Sequence, residues 1–345
     1  RLAGKEVRTF TMGFPDLGFD ERRQAGEFAK RLGTKHENFE ARPLQAVEIL
    51  DALVDLYEMP YADSSALPTW MLARETAQHV KVVLTGDGAD ELFAGYRRYG
   101  HFMRALRWSK TSLLRQAGRI EAFGQRFDDP RFVRFARLLK KAQYSPQAAY
   151  ASLFTGAYFS QEDESFLLQE DFAQRTQDWS TETWMQMVLS TDEPLKMALT
   201  FDRTSYLPDD LNIKMDRATM AHGLEARSPF LDQELVRFVS SLPTEWLFHK
   251  GQSKYILKEA LKGTLPSEIL TRRKRGFQVP LSSWFRSDLR SLFVERCLSI
   301  SSPLFTVCRQ EAVQKYLLEN DRGIDHGNRL WMLLTLATWL KKNGS

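Results

Sequence analysis

The sequence predicts an α/β fold in which a small parallel sheet packs against a larger, mostly helical portion. Three observations carry this prediction. Strand-like runs at Val7–Phe14 (VRTFTMGF) and Val80–Thr85 (VKVVLT) are separated by helical patterns. Strands divided by helices pair in parallel. Beyond about residue 100 strand signals stop, which divides the chain into an α/β part over about 1–100 and a mostly helical part over about 101–345.

Each element follows from local chemistry. Val7–Phe14 is β-rich and stops at a turn around Pro15, Asp16 and Gly18. Asp20 then reads as an N-cap, with Ala25, Phe28, Ala29 and Leu32 at helical spacing and Gly33 at the left-handed position that ends the helix. A second helix follows Pro43, with Val47, Leu50, Val54 and Tyr57 on one face, and a third begins near Pro68. Val80–Thr85 reads as a short buried strand running into a glycine-rich turn. Ser145-Pro146 opens a later helix in cap-then-proline order, and Asp232 caps another. The final helix carries Leu330, Leu333, Leu334, Ala337 and Leu340 in one stripe and ends before Lys341-Lys342.

Composition narrows the function classes. An apolar content of 43% with 27% charged residues is that of a water-soluble globular protein, and no run of eighteen apolar residues exists to span a bilayer. The net charge of +4 gives no case for nucleic acid as a partner. Arg104–Arg119 mixes basic residues with Leu, Trp and Ile. It reads as a helix with a solvated basic face, the alternative being a basic surface for a membrane or partner; the expectation is no membrane partner. Cys297 and Cys308 have no metal or redox spacing and read as structural thiols in a reducing, cytoplasmic setting.

Chemistry concentrates in Leu84-Thr85-Gly86-Asp87-Gly88-Ala89-Asp90-Glu91. A strand ends, glycines let backbone approach a ligand, and three carboxylates follow. Ligands of open α/β sheets bind at the carboxyl ends of strands. Carboxylates beside phosphates require an intervening cation, and Mg²⁺ held by one or two carboxylates plus phosphate oxygens meets that need. The alternative is a helix N-terminus whose acids complement the macrodipole. No Walker loop occurs.

The run VVLTGDGADELFAGYRRY (Val82–Tyr99) resembles the second nucleotide-site motif of asparagine synthetases. Ordered similarity extends through TFTMGF (Thr9–Phe14), DERRQAGEFAKRLGTKH (Asp20–His36), ADSSALPTW (Ala62–Trp70) and YLPDDLNIKMDRATMAHGLEARSPFLD (Tyr206–Asp232). It continues through KYILKEAL (Lys254–Leu261), RRKRGFQVP (Arg272–Pro280) and the helix around Arg329–Leu340. The resemblance implies an adenine nucleotide alpha hydrolase-like (PP-loop ATPase) core. It implies ATP and Mg²⁺ as cofactors, and aspartate, ATP and ammonia from glutamine as reactants, with a homodimer as a candidate assembly. It implies adenosine contact at the Met12 backbone, ATP contact at Thr85, Gly86 and Gly88, and Mg²⁺ at Asp90. Asp87 matches an acid, often glutamate in the family, tied to intermediate formation and the ammonia step. Lys274 matches a base that approaches the phosphates. Within a dense charged block holding Asp210, Lys214, Asp216 and Arg217, Glu225 and Arg227 are the residues expected near bound aspartate, because an arginine fork suits a carboxylate and a glutamate suits an amino group.

The family's S-G-G-x-D-S pyrophosphate loop and its glutaminase domain do not occur in residues 1–345. The expectation is a synthetase domain lacking its first strand, preceded by further chain and inactive alone. Alternatives left open are another carboxylate-adenylating amidotransferase, a β-lactam synthetase-like or lasso-peptide-type ring closure, and a non-catalytic truncated paralogue.

Overall fold

A computed structural model describes residues 6–15, 18, 20–127, 130–159, 161–176, 193–271 and 279–344. Strand β1 (Arg8–Gly13) pairs in parallel with β2 (Lys35–Glu40), Arg8 opposite Lys35 and Gly13 opposite Glu40. Helix α1 (Arg22–Leu32) makes the crossover and ends at Gly33 with φ 67°. Its start corrects the sequence reading by one residue. Glu21 holds the cap position, while Asp20 Oδ1 accepts from the Arg22 N–H at 3.0 Å. Strand β2 was missed because KHENFE has no alternating apolar face. It is a strand because β1 supplies its backbone partners.

Helix α2 (Pro43–Tyr57) opens as expected, whereas α3 (Ala66–Ala77) begins two residues before Pro68. That places the proline in the first turn, where a missing N–H breaks no helical bond. Strand β3 (Val82–Leu84) pairs in parallel with β4 (Glu225–Arg227). The expectation of a buried strand needs correction. Val82 is 44% exposed and Leu84 is 73% exposed. An apolar run does not reveal which of its faces is covered, and here only the Val83 side faces protein.

Helices α4 (Ala89–Leu92), α5 (Arg97–Ser109), α6 (Ala117–Arg126), α7 (Pro130–Tyr144), α8 (Pro146–Tyr158), α9 (Gln161–Leu167) and α10 (Glu170–Thr176) follow β3. The Arg104–Arg119 stretch is therefore not one helix: α5 ends at Ser109 and a 3₁₀ turn over Ser112–Gln116 separates it from α6. Ser145 caps α8 by accepting from the Ala148 N–H at 2.9 Å. Next come α11 (Pro194–Phe201), a wide π-helical segment over Asp202–Asn212 containing Pro208, and α12 (Ile213–Met220). Beyond β4 lie α13 (Gln233–Ser241), capped by Asp232, and α14 (Thr244–Leu247). A two-stranded hairpin (Phe248–His249 with Gln252–Ser253) leads to α15 (Tyr255–Ala260), α16 (Ser267–Thr271), α17 (Leu281–Phe285), α18 (Asp288–Cys297), α19 (Gln310–Asp321) and α20 (Gly327–Asn343). Helix α20 runs on through Lys341 and Lys342 rather than ending before them. Cations in a last turn complement the helix dipole.

Two apolar cores form among the described residues. One joins Phe14, Leu50, Tyr57 and Met71 of the N-terminal part to Phe285, Phe293, Trp331 and Leu334 of the last helices. The Arg296 guanidinium reinforces it by reaching both Asp51 carboxylate oxygens at 2.8 Å. Cys297 and Cys308 are free thiols buried in this core, and burial pushes Cys308 up to about 12. The other core gathers Leu92, Tyr99, Phe102, Tyr150, Phe201 and Leu247 behind α4 and α5. No helix among the described residues is long and apolar enough to cross a membrane.

Leu334 is fully buried where α20 meets the first core. Leu334→Ala is expected to lower the unfolding free energy by about 2–5 kcal/mol, seen as a lower urea midpoint at unchanged slope.

Candidate active site at the end of strand β3

The acidic turn is fixed by backbone pairing first. The Thr85 N–H donates to the Arg227 carbonyl at 2.9 Å, and the Glu225 N–H donates to the Lys81 carbonyl at 2.9 Å. Odd-numbered residues of β3 therefore bond to β4, and the backbone of Val82 and Leu84 points to the opposite edge. In the same way Val7 and Gly13 accept from Lys35 and Ala41, so Met12 turns its backbone groups away from β2. Its side chain is buried.

Past Thr85 the chain turns tightly. The Thr85 hydroxyl donates to Asp87 Oδ2 at 2.8 Å and lies 2.8 Å from the Ser228 hydroxyl. With its proton given to Asp87, Thr85 accepts from Ser228. Gly88 has φ 86°, and a Cβ there would meet Leu231 Cδ2 at 2.2 Å. Glycine is the residue that satisfies both demands. Gly86 is exposed beside it.

Asp90 and Glu91 then enter α4 and are buried. Asp90 Oδ1 sits 2.7 Å from the Lys254 ammonium. Lys254 adopts φ 55° at the start of α15, and its N–H donates to the Phe93 carbonyl at 2.9 Å. Glu91 accepts a short hydrogen bond from the Tyr96 hydroxyl. Burial holds the Glu91 carboxyl above its usual range, against the pull of that hydrogen bond. Tyr96 in turn stacks on Arg98, whose guanidinium lies 4.0 Å from its ring centre and 4.6 Å from that of Tyr206. Arg98 pairs with the fully buried Asp202 at 2.7 Å. Tyr150 donates to the same carboxylate oxygen at 2.7 Å, and Tyr99 donates by a short bond. Burial is the largest influence on Asp202 and raises its carboxyl.

A second polar cluster joins two segments singled out in the sequence. Lys214 Nζ reaches Asp63 Oδ2 at 2.5 Å and the Ser65 hydroxyl at 2.8 Å. Tyr61 donates to Asp210, at the carboxylate by a short bond and at the backbone carbonyl at 2.8 Å. Burial works to raise Asp63, but Lys214 holds it below the usual range. Asp210 is pushed up to about 6, by burial first and then by the neighbouring Asp63.

The expected residues distribute as follows. Thr85, Gly86, Asp87, Gly88 and Asp90 form one turn. Glu225 and Arg227 lie on the same open face as Val82 and Leu84, paired with each other at 2.7 Å and more than half exposed. Lys274 lies outside the described residues. Lys254 was missed as a site residue. Its segment KYILKEAL carries the family resemblance, but nothing local shows that its ammonium meets a carboxylate from a distant turn. Among the described residues no three His, Cys, Asp or Glu converge into a metal cage. Mg²⁺ that arrives on phosphates takes only one or two carboxylates, and Asp90 with Asp87 nearby fits that mode.

Two predictions follow from these contacts. Arg98→Met leaves Asp202 buried without its cation and is expected to cost about 3–5 kcal/mol of stability in denaturant unfolding. Asp210 binds its proton more tightly in the folded chain, so its contribution favours folding below about pH 4 and is lost as pH rises through about 6. In Asp210→Asn that part of the pH dependence of urea stability disappears.

The asparagine synthase family profile matches residues 1–341. A Mycobacterium tuberculosis protein described as a "putative asparagine synthetase (glutamine-hydrolyzing)" is 31% identical over 345 residues, covering 96% of this chain and 50% of its own. Bacillus subtilis asparagine synthetase (glutamine-hydrolyzing) 1 is 29% identical, covering 96% of this chain and 52% of its own. Amidase chyE of Penicillium rubens is 27% identical over 91% of this chain. The chain thus spans about half the length of these curated relatives, and over that span it belongs to the asparagine synthase family.

Proposed function

We propose that this chain is the synthetase part of an enzyme that amidates aspartate with ATP, using ammonia released from glutamine. The observation that carries this reading is the match along almost the whole chain to the family, with the acidic turn of that match at the carboxyl end of a parallel strand. The β-carboxylate of aspartate attacks the α-phosphorus of ATP, forming β-aspartyl-AMP and releasing pyrophosphate. Ammonia then attacks the activated carbonyl, AMP leaves, and the nitrogen loses a proton.

In this reading Asp90 is the Mg²⁺ ligand, and the metal supplies charge neutralisation on the phosphates. Lys254, 2.7 Å from Asp90, balances that carboxylate beside the phosphates. Thr85, Gly86 and Gly88 shape the phosphate approach, and the Met12 backbone meets the adenosine. Asp87, held by Thr85, orients or deprotonates the ammonia. It is one methylene shorter than glutamate, and the Thr85 hydrogen bond fixes where that shorter arm ends. Lys274 is assigned to the charge on the departing groups. Glu225 and Arg227 are assigned to aspartate, which must displace their mutual ion pair to bind. The PP-loop core is part of the same proposal: the edges of β1 and β3 that no strand pairs among the described residues are suited to a strand carrying the S-G-G-x-D-S loop.

A second reading, amidation of a different carboxylate, draws support from the amidase of Penicillium rubens. Aspartate-dependent exchange of labelled pyrophosphate into ATP, measured on the whole protein carrying this chain, separates the two. Asp90→Asn is expected to lower that exchange about 10- to 100-fold. Exchange supported by another carboxylate but not by aspartate would overturn the first reading in favour of the second.

A further inference from the structure

The segment from Arg97 to Lys141 holds thirteen lysines and arginines against three acidic residues, although the whole chain is only +4. The remainder of the molecule is therefore net acidic, and the positive charge is concentrated on α5, α6 and α7. None of the proposed chemistry uses this region.

Its surface is also apolar in one place. Phe123, Phe127 and Phe132 are 49%, 61% and 41% exposed. Their rings pack on one another, with Phe123 4.5 Å from Phe127 and 5.4 Å from Phe132 between ring centres. Gly124 makes this possible, because a Cβ there would lie 2.9 Å from the Val133 backbone nitrogen. Helices α6 and α7 thus come close enough for the three rings to merge into one knob. Arg119 and Phe123 on α6 and Phe127 just past its end recur at four-residue spacing, with Arg126 beside them and its guanidinium 5.9 Å from the Phe127 ring centre. Glu121 engages Arg137 and Lys140 at 3.0 and 2.6 Å. Among the described residues, no carboxylate pairs with the exposed Arg115, Arg119 or Arg126.

We propose that this face is a peripheral docking surface for an anionic lipid bilayer, with the phenylalanine knob entering the interface and the arginines meeting headgroup phosphates. Charge complementarity and the chemistry of the knob select this partner. Phenylalanine carries no polar tip, so an exposed cluster of three gains by insertion among acyl chains. Rings already packed on each other are one contiguous wedge rather than the separate platforms on which successive bases stack. Unpaired cations around such a wedge gain from the negative surface of an anionic leaflet.

Vesicle flotation tests this independently of the amidation reading. The protein is mixed with phosphatidylcholine vesicles, with or without phosphatidylglycerol, at about 0.1 M salt. Binding is expected only with phosphatidylglycerol. Arg119→Gln with Arg126→Gln is expected to lower the partition coefficient about 25-fold, roughly fivefold for each cation. Phe123→Ser with Phe127→Ser is expected to abolish partition that survives raised salt. All four positions are exposed, and circular dichroism confirms that each variant stays folded. The proposal is overturned by absence of binding to anionic vesicles, by binding that neither double variant weakens, or by capture of a polynucleotide in preference to the vesicles.

Discussion

Asp202 has no contact with solvent, yet it is a carboxylate, and the fold behind the acidic turn is arranged around that constraint. Arg98, Tyr99 and Tyr150 all converge on it. These residues come from α5 and α8, while Asp202 opens the π-helical segment. A buried charge is tolerated only when paired and hydrogen-bonded, so the helices cannot drift apart without exposing an uncompensated ion. Arg98 carries the arrangement forward, because it is clasped between Tyr96 and Tyr206 and Tyr96 holds Glu91. Glu91 is thereby anchored from below, through Tyr96 and Arg98, to the fully buried Asp202.

The Asp63–Lys214–Asp210 cluster works by the same rule on the other side of the π-helical segment. Two acids and one lysine share a small volume, and the lysine satisfies only one acid fully. The second acid keeps its proton more readily and leans on Tyr61. The segment from Asp202 to Asn212 is thus pinned near both ends by buried polar contacts, with Pro208 between them. Pinning of this kind suits a stretch whose wide turns give weaker intrinsic support than an ordinary α-helix.

What the sequence made legible was local. The β1 run, the helix after Pro43, the left-handed Gly33, the Ser145 and Asp232 caps and the stripe of the last helix all rest on contacts within a few residues. The glycine–acid turn was legible for the same reason. Elements defined by distant partners were not. Strand β2 is polar throughout, and β4 is three residues with two charges; each is a strand only because a neighbour lies beside it. Lys254 lies far along the chain from Asp90, and no spacing rule links them. Exposure of Val82 and Leu84 was illegible too, since an apolar strand states a preference for cover without saying that cover is present.

The two parallel sheets have a further consequence for contacts between molecules. Each has an outer edge whose N–H and C=O groups point away from its partner, at Met12 in one sheet and at Val82 and Leu84 in the other. Such edges are templates for pairing between molecules. The β3 edge adds apolar side chains to the open backbone. Among the described residues no strand pairs with either edge, so whatever lies along these two edges governs whether they template contacts between molecules.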